Sequence, residues 1–193
     1  MKRIETPLRD VFILERHFFR DERGFFVERF KRSEFEELGL PGEFPQDNHS
    51  RSAPGVLRGL HYQHRPAQGK LVGVIRGRVW DVAVDVRPDS PTFGKNFAIE
   101  LNDADGRLLW IPPGFAHGFL NIGDQPADLF YKTTAEYNPA GEGGIVWNDP
   151  DLAIEWPISA PKLSKRDLVL ASFAEYLADS PKWTHQVESK HHP

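Results

Sequence analysis

The sequence predicts an all-β fold, a sandwich or barrel built from many short strands. Gly and Pro number 16 each in the chain of 193 residues, and they are spread along its whole length. Between them lie short runs rich in Val, Ile, Phe and Trp. Short apolar runs separated by frequent turn residues are typical of such folds. The chain shows neither an internal repeat nor a low-complexity segment.

The clearest strand is "RVWDVAVDVR", because its polar and apolar residues alternate. Successive side chains of a strand point to opposite faces, so the even-numbered apolar set is expected to face a core. Gly77 marks a turn from the preceding run "KLVGVIRG", and "FAIEL", "RLLWIP" and "ADLFYKTT" are further strand candidates. The even-numbered set is Trp80, Val82, Val84 and Val86, and the other face carries Val79, Asp81, Ala83 and Asp85.

Two peripheral helices are also expected. In "SEFEELGL", Ser33 and Glu36 form the pattern of a capping box with Ser33 as the N-cap, and Gly39 marks the end of the helix. In "SKRDLVLASFAEYLAD", Ser164 is the expected N-cap, with Asp167 in the first turn. The apolar stripe of this second helix is formed by Leu170, Phe173 and Leu177.

One domain over residues 1–179 is predicted, followed by a loosely held polar tail over 180–193. The net charge of −4 argues against a general nucleic-acid or membrane-surface binder. The chain contains 0 Cys, which excludes disulfides and thiolate chemistry. The charged N-terminus has no apolar signal segment, and no run approaches the roughly 18 apolar residues of a membrane span. A cytoplasmic location is therefore expected.

The segment "GRLLWIPPGFAHGFLN" fits a known motif, G-x5-P-x-G-x2-H-x3-N, at every fixed position. In physical terms, one strand ends at Pro112, Gly114 allows a tight turn, and the next strand carries His117. The segment resembles the second motif of the cupin superfamily. The resemblance implies a cupin-type jelly-roll β-barrel, with His117 at the mouth of the barrel. The fixed positions are Gly106, Pro112, Gly114, His117 and Asn121.

The first cupin motif, G-x5-H-x-H-x3–4-E-x6-G, is only partly present in "GVLRGLHYQHRPAQGK". Gly55 and His61 fit, but Gln63 replaces the second histidine and no glutamate follows at the ligand spacing. His64 is out of step with His61, so on a regular strand it points to the opposite face. Two imidazoles beside Lys70 make a poor cation site, and no metal is expected.

The chain over about residues 1–170 resembles the dTDP-4-dehydrorhamnose 3,5-epimerases. The resemblance rests on separate segments that include "DERGFFVERF", "QDNHSRS", "GVLRGLHYQ", "DVAVDVR", "WIPPGFAHGF", "LFYKTT" and "EGGIVWNDP". It implies a redox-neutral reaction that needs no cofactor. Protons α to the C4 ketone of dTDP-4-dehydro-6-deoxy-D-glucose are removed at C3 and C5 and returned on the opposite face. The product, dTDP-4-dehydro-L-rhamnose, lies on the route to dTDP-L-rhamnose.

The resemblance implies four catalytic residues. His61 is the expected general base, since an imidazole suits proton abstraction at neutral pH, and Asp167 is the partner that orients it. An Asp in the first turn of a helix also suits the helix dipole without any catalytic role. Tyr131 corresponds to the proton donor. Lys70 is placed to stabilise the enolate, a contribution that is usually large.

Further residues correspond to substrate contacts of the family. Arg58 and His61 face opposite sides of a regular strand, so both serve one site only if a bulge intervenes, which Gly59 permits. Arg166 replaces the usual lysine, which keeps the charge but changes the geometry. The family also implies a homodimer whose subunits exchange N-terminal strands. The expected substrate-binding residues are Arg23, Glu28, Gln46, Asp47, Asn48, Arg58, His117, Tyr137, Glu142 and Arg166.

Three alternatives stay open on sequence grounds. A relative that inverts only C3 or only C5 of another dTDP-4-keto-6-deoxy sugar would use the same base, acid and lysine. A metal-dependent cupin oxygenase or isomerase would require a bound metal ion for activity. A non-catalytic sugar-nucleotide-binding cupin would bind its ligand without turnover.

Overall fold

In the computed structural model, which describes residues 1–183, the chain folds into two facing antiparallel sheets, the arrangement of a jelly roll. The strands are β1 (Lys2–Glu5), β2 (Phe12–Glu15), β3 (Phe19–Asp21), β4 (Gly24–Phe26), β5 (Gln46–Ser52), β6 (Leu57–Gln63), β7 (Lys70–Arg76), β8 (Arg78–Asp85), β9 (Asn96–Asn102), β10 (Leu108–Ile111), β11 (Phe115–Asn121), β12 (Ala127–Thr133) and β13 (Glu142–Gly144). One sheet has the order β1-β2-β10-β7-β12-β5, and the other has the order β13-β6-β11-β8-β9. Strands β3 and β4 form a separate hairpin. The all-β prediction is therefore confirmed.

Each face of the two sheets that meets another layer is apolar. The interior between the sheets is filled by branched side chains from both, such as Val72 and Leu129 from one sheet and Val79 and Leu101 from the other. The outer face of the six-stranded sheet is covered by an aromatic cluster around Phe35. The outer face of the five-stranded sheet is covered by the C-terminal segment, residues 145–183, which follows β13. Each sheet is therefore packed on both of its faces, and such close packing holds the strands in fixed positions.

Strand β8 is more deeply buried than its alternating sequence predicts. The even-numbered residues face a core, as expected, under the C-terminal segment. The odd-numbered face is also buried, because it points into the interior between the sheets. Asp81 and Asp85 on that face are each 0% exposed. Alternation marks the two faces of a strand but does not reveal that both are covered.

The first helix, α1 (Arg32–Glu37), begins earlier than the sequence predicts. Its N-cap is Lys31, and Ser33 lies inside the helix and makes no cap. The physical reason is aromatic packing, since the rings of Phe30 and Phe35 lie 4.8 Å apart on either side of the helix start. This contact between N′ and N4 is a hydrophobic staple, and it fixes where the chain enters the helix.

The single C-terminal helix predicted from Ser164 is wrong. The segment instead forms a 3-10 turn, Asp167–Val169, followed by an extended residue and a separate short helix, α2 (Phe173–Ala178). The capping box belongs to Ser172 and Glu175 rather than to Ser164. The helix is interrupted because the backbone N–H of Val146 bonds to the carbonyl of Ala171, which draws that residue into a bridge.

The predicted apolar stripe of this helix is also only partly right, since Phe173 is buried but Leu177 is 49% exposed. Of the predicted tail over 180–193, residues 184–193 lie outside the described part of the chain. Trp183 packs beside Tyr62, with ring centroids 5.5 Å apart. None of the helices within residues 1–183 is long and apolar enough to cross a membrane.

A bulge in strand β6 sets the geometry of the residues that carry the motifs. His61 pairs with His117, but Arg58 pairs with Phe119, so one extra residue of β6 is accommodated between the two pairs. Gly59 lies at this point with a φ of +123°. Its Cα is so close to β11 that an added Cβ would lie 2.6 Å from the Cα of Gly118. The bulge lets Arg58 and His61 serve the same side of the sheet.

We expect Gly59→Ala to destabilise the protein by about 3 kcal/mol or more, since an added methyl group is strained at this φ and collides with backbone atoms. Gly55→Ala is the matched control, because Gly55 also has a positive φ, +75°, but open space around it. The control should cost only about 1 kcal/mol. Urea unfolding of both variants measures the difference. Equal losses of stability would show that the close approach at Gly59 is unimportant.

Candidate active site

A cavity that contains many of the motif residues lies between the two sheets and has a volume of about 540 Å³. Both sheets contribute to its walls: β6 and β11 from one, β7 and β12 from the other. The segment 162–167 closes one side. A cavity of this size suits a small organic ligand. The predicted site residues that it brings together are Arg58, His61, Lys70, His117, Tyr131, Tyr137, Glu142, Arg166 and Asp167.

His61 and Asp167 form a close pair in this cavity although they lie 106 residues apart in the chain. The Nε2–H of His61 donates to Oδ1 of Asp167 at 2.7 Å, and Asp167 is only 3% exposed. The backbone N–H of Asp167 in turn donates to the hydroxyl of Ser164. Burial alone would raise the pKa of Asp167, but the hydrogen bond and charge of His61 outweigh it and lower that pKa. The pair therefore leaves Nδ1 of His61 as the nitrogen that can accept a proton.

Tyr131 and Lys70 reach the same cavity from the facing sheet, on β12 and β7. Burial raises the pKa of the Tyr131 phenol, and the charge of Glu142 adds to the effect. Burial also lowers the pKa of Lys70 to about 8, although Glu142 and Asp81 oppose the shift. The Lys70 ammonium donates to the carbonyl of His61 at 3.3 Å. A weak acid and a cation thus face the histidine across the cavity.

Glu142, on the edge strand β13, joins two other predicted site residues. Its Oε2 accepts the hydroxyl of Tyr137 at 2.6 Å and forms an ion pair with Nη2 of Arg166 at 2.8 Å. The hydrogen bond from Tyr137 to this carboxylate raises the pKa of Tyr137. Arg166 keeps an ion pair at this position although it replaces the lysine of the family pattern. The three side chains connect β13, the segment before it and the C-terminal segment at the cavity wall.

His117 makes a second pair with an aspartate, deeper in the barrel. Its Nε2 lies 2.9 Å and 3.0 Å from the two carboxylate oxygens of Asp81. Both residues are buried, His117 at 6% exposure and Asp81 at 0%. Sequence reasoning did not include Asp81 in the site. The only signal for it was an acidic residue that alternates with apolar ones on β8, and such a residue is also typical of a solvent-facing position.

Strand β5 divides the three neighbouring predicted residues between its two faces. Gln46 and Asn48 line a smaller adjoining cavity of about 240 Å³, which shares His61 with the main one. Gln46 also accepts the backbone N–H of Tyr137 at 2.7 Å. Asp47 points to the other face, where it forms an ion pair with Lys132 at 2.7 Å. Asp47 is therefore not brought to the cavity, as follows from strand alternation.

Arg23 and Glu28 also lie outside the walls of both cavities. Arg23 is at the tip of the β3–β4 hairpin, paired with Asp21, and Glu28 is exposed beyond β4. Arg58 lines the main cavity and donates to Ser52 and to a backbone carbonyl, with neutral acceptors in both cases. Lys162, which sequence reasoning missed, also lines this cavity.

The donor groups of the cavity do not fit a metal-cupin site. In the part of the chain that the structure describes, no three His, Asp or Glu side chains are grouped closely enough to hold a metal ion. Both cavity histidines already use Nε2 to bond an aspartate. Gln63 stands at the position of a second histidine ligand, and its side-chain amide donates hydrogen bonds to the carbonyls of Pro66 and Glu136. That the reaction is independent of metal stays a prediction.

A jelly roll whose interior cavity holds this set of residues defines a class, the cupin-fold epimerases of nucleotide-linked sugars. Comparison with known proteins supports the class. The family model described as dTDP-4-dehydrorhamnose 3,5-epimerase matches residues 5–175. The dTDP-4-dehydrorhamnose 3,5-epimerase of Shigella flexneri is 52% identical over 170 residues, which cover 87% of this chain and 93% of the relative.

Two solved structures share this fold. The 3,5-epimerase of Legionella pneumophila, in complex with dTDP-4-keto-L-rhamnose, has a TM-score of 0.89 and 44% identity and covers 95% of this chain and 98% of its own. A 3'-monoepimerase of Streptomyces bikiniensis, in complex with dTDP-quinovose, has a TM-score of 0.86 and 32% identity and covers 93% of this chain and 91% of its own. The chain belongs to the dTDP-4-dehydrorhamnose 3,5-epimerase family.

Proposed function

We propose that this protein converts dTDP-4-dehydro-6-deoxy-D-glucose into dTDP-4-dehydro-L-rhamnose by inverting C3 and C5 of the sugar. The observation that carries the proposal is the arrangement of His61 and Tyr131, which enter one cavity from facing sheets. Inversion of a carbon needs a base on one face and an acid on the other. Two facing sheets hold such a pair without any movement of the backbone.

His61 takes the proton from the carbon next to the C4 ketone. The bond from Nε2–H to Asp167 fixes the tautomer and leaves the lone pair of Nδ1 for the proton. As His61 becomes positively charged, the buried carboxylate of Asp167 stabilises it. The electron pair of the broken C–H bond moves into the carbonyl and forms an enolate.

Lys70 stabilises the negative charge that develops on the C4 oxygen. Its ammonium is almost fully buried, at 9% exposure, so its field is little screened by water. Since its pKa is lowered only to about 8, the side chain remains largely charged at neutral pH. The lysine loses its charge as the pH rises through this pKa, so we infer that turnover falls as the pH rises through about 8.

Tyr131 then returns a proton to the opposite face of the enolate. Its phenol keeps its proton at neutral pH, because burial and the charge of Glu142 raise its pKa. After each inversion Tyr131 regains a proton and His61 loses one, through solvent, so that no net proton is consumed. No electron leaves the substrate, and the reaction needs no redox cofactor.

The remaining predicted residues bind the substrate around this centre. Arg58 provides a cation whose neutral partners leave its charge available to the nucleotide diphosphate. Gln46 and Asn48 offer amide groups beside the sugar site. His117 is held by Asp81 as a polar wall, and Tyr137, Glu142 and Arg166 line the cavity as one bonded group.

We also propose that the active form is a homodimer in which N-terminal strands are exchanged. The β3–β4 hairpin carries three largely exposed aromatic rings, Phe19, Phe25 and Phe26, which an isolated subunit leaves in water. Arg23 lies on this hairpin and outside the two active-site cavities of its own subunit. In the dimer Arg23 and Glu28 complete the site of the partner. The cytoplasmic location expected from the sequence stays a prediction.

A second candidate is inversion at one carbon only. It is favoured by the structural similarity of the Streptomyces bikiniensis 3'-monoepimerase, since the same fold serves that reaction. The base, acid and lysine of the present cavity would suit either reaction. The two candidates differ in how many carbons exchange their hydrogen with solvent.

Proton exchange in D₂O tests the function directly. Without an added cofactor, we expect deuterium to enter both C3 and C5 of dTDP-4-dehydro-6-deoxyglucose. NMR of the two carbon positions measures this exchange. His61→Ala should reduce the rate by about 10²–10⁴-fold, the usual range for a general base. His64→Ala is the matched control, because His64 lies outside both cavities and should leave the rate unchanged.

Entry at one carbon alone would establish the single-centre candidate instead. No exchange by the folded wild-type protein would refute the epimerase proposal and favour a protein that only binds nucleotide sugars. Activity of His61→Ala close to that of the wild type would remove His61 as the base.

Tyr131→Phe should separate exchange from inversion. The base still removes the proton and returns deuterium to the same face, so we expect isotope exchange to continue while product formation falls by about 10²-fold or more. NMR of one reaction mixture in D₂O reports both rates. Tyr176→Phe, which alters a buried tyrosine outside the cavity, should change neither rate. A parallel fall of exchange and inversion in Tyr131→Phe would contradict its role as the acid.

Mixed dimers test whether Arg23 acts in the partner's site. Arg23→Ala and His61→Ala should each be strongly impaired alone. If Arg23 acts across the dimer, subunit exchange at equal concentrations gives heterodimers with one intact site, and about a quarter of wild-type activity returns. Without this recovery, although mass spectrometry detects the heterodimers, the exchanged-strand proposal fails.

A further inference from the structure

Asp81 is an ionisable group that no sequence motif includes, and the proposed function so far uses it only to hold His117. It is 0% exposed, on the face of β8 that points between the sheets. Both of its carboxylate oxygens lie within hydrogen-bond distance of Nε2 of His117. A buried carboxylate is costly unless it is compensated, and one imidazole N–H compensates it only in part.

A second compensating group is the ammonium of Lys70. The negative charge of Asp81 acts on Lys70 and opposes the effect of burial on its pKa. Lys70 makes no ion pair of its own within residues 1–183, and its ammonium donates a hydrogen bond to a neutral carbonyl. That carbonyl belongs to His61, whose register partner on β11 is His117, so the bonded pair of Asp81 and His117 lies next to Lys70. The charge of Lys70 is therefore supported by carboxylates that it does not touch.

We propose that Asp81 is a positioning residue of the active site, whose buried carboxylate holds His117 and keeps the neighbouring Lys70 charged beside the reacting ketone. This deepens the proposed epimerase function and rests on it. Asp81 itself is not among the residues that line the cavity. Its effect on the reaction passes entirely through the charge of Lys70 and the orientation of His117.

Several other titratable groups lie around Lys70 and can also affect its charge. Those that face it are His61 on β6, His117 on β11, Tyr131 on β12 and Glu142 on β13. Glu142 is the other carboxylate that favours the charged lysine, but it is shared with Tyr137 and Arg166. Arg58 and Asp167 line the wider cavity. Asp81 differs from Glu142 in that its direct partner is the imidazole of His117 and not an arginine.

The chain offers a closely matched control. Asp85 lies on the same strand and the same face and is also 0% exposed. Its partners are Arg87, Ser90 and Thr92, all outside the active-site cavity. Removing the charge of Asp85 therefore perturbs a buried carboxylate of β8 without changing the field at Lys70.

The experiment compares pH profiles of kcat for the wild type, Asp81→Asn and Asp85→Asn. We expect the fall at alkaline pH, near pH 8 in the wild type, to move about one pH unit lower in Asp81→Asn, since a nearby opposite charge is removed. At pH 8 this amounts to a loss of about fivefold, with little loss at pH 6.5. Asp85→Asn should keep the wild-type profile. An unshifted profile in Asp81→Asn, or the same shift in both variants, would overturn the proposal.

A second variant decides the matter if Asp81→Asn does not fold. His117→Gln keeps the charge of Asp81 but removes its imidazole partner, so the alkaline fall should stay in place or move to higher pH. A move to lower pH would mean that His117, and not Asp81, keeps Lys70 charged.

Competitive labelling with acetic anhydride gives a readout that does not depend on epimerase activity. Mass spectrometry of the Lys70 peptide across a pH series reports where this amine loses its proton. In Asp81→Asn that pH should be lower than in the wild type, and in Asp85→Asn it should not change. Because labelling needs no turnover, the inference can fail while the epimerase function stands, and the reverse also holds. Identical labelling curves in all three proteins would overturn the inference.

Discussion

The hydrogen bond between His61 and Asp167 is the contact on which the rest of the site depends. It joins a strand of the barrel to a segment 106 residues later in the chain. Around it, the backbone of Leu60 exchanges hydrogen bonds with Ile145, and Leu57 bonds to the carbonyl of Lys162. The C-terminal segment is therefore fastened along β6 at several points. Without this attachment the cavity would lose the wall that carries Asp167 and Arg166.

The bond in turn requires the bulge at Gly59. A regular strand would turn either Arg58 or His61 away from the cavity, because alternate residues face opposite sides. The extra residue changes the register between β6 and β11 and places His61 opposite His117. Glycine is needed because the backbone there has a positive φ and lies against Gly118. The geometry of the cavity therefore begins with a backbone constraint rather than with the side chains.

The sequence predicted the barrel well because its signals are local. Strand alternation, glycine turns and the spacing from Gly106 to Asn121 each concern a few neighbouring residues, and the fold follows from them. The helix boundaries were less predictable, since Phe30 and Phe35 decide one helix start by tertiary packing and the bridge at Ala171 interrupts the other.

The site was predictable where a motif covers it. Family resemblance brought His61, Lys70 and Tyr131 together, and all three line one cavity. The pairing of Asp81 with His117 was not predictable, because it depends on the register between β8 and β11. The same is true of Asp47, whose side chain the strand turns away from the cavity. Contacts set by strand register are absent from any local pattern.

The arrangement of charges explains how one set of residues can serve two carbons under the proposed function. C3 and C5 lie on either side of C4, so both enolates place their negative charge on the same oxygen. A fixed, buried cation such as Lys70 can therefore stabilise both, provided that the sugar presents each carbon in turn to the base. This reorientation of the sugar needs space and a cavity wall whose side chains can change conformation.

The group formed by Tyr137, Glu142 and Arg166 provides such a wall, since it consists of side chains bonded to one carboxylate oxygen. Tyr137 is 52% exposed and lies in the segment between β12 and β13, whereas Lys70 and Asp81 lie on strands at the centre of the barrel. A rearrangement of the exposed Tyr137 side chain costs far less free energy than a shift of Lys70 or Asp81, because packed interiors resist small displacements. Under the proposed function, the barrel thus holds the charged groups that both inversions use in fixed positions. The side chains that can change conformation lie at the cavity wall.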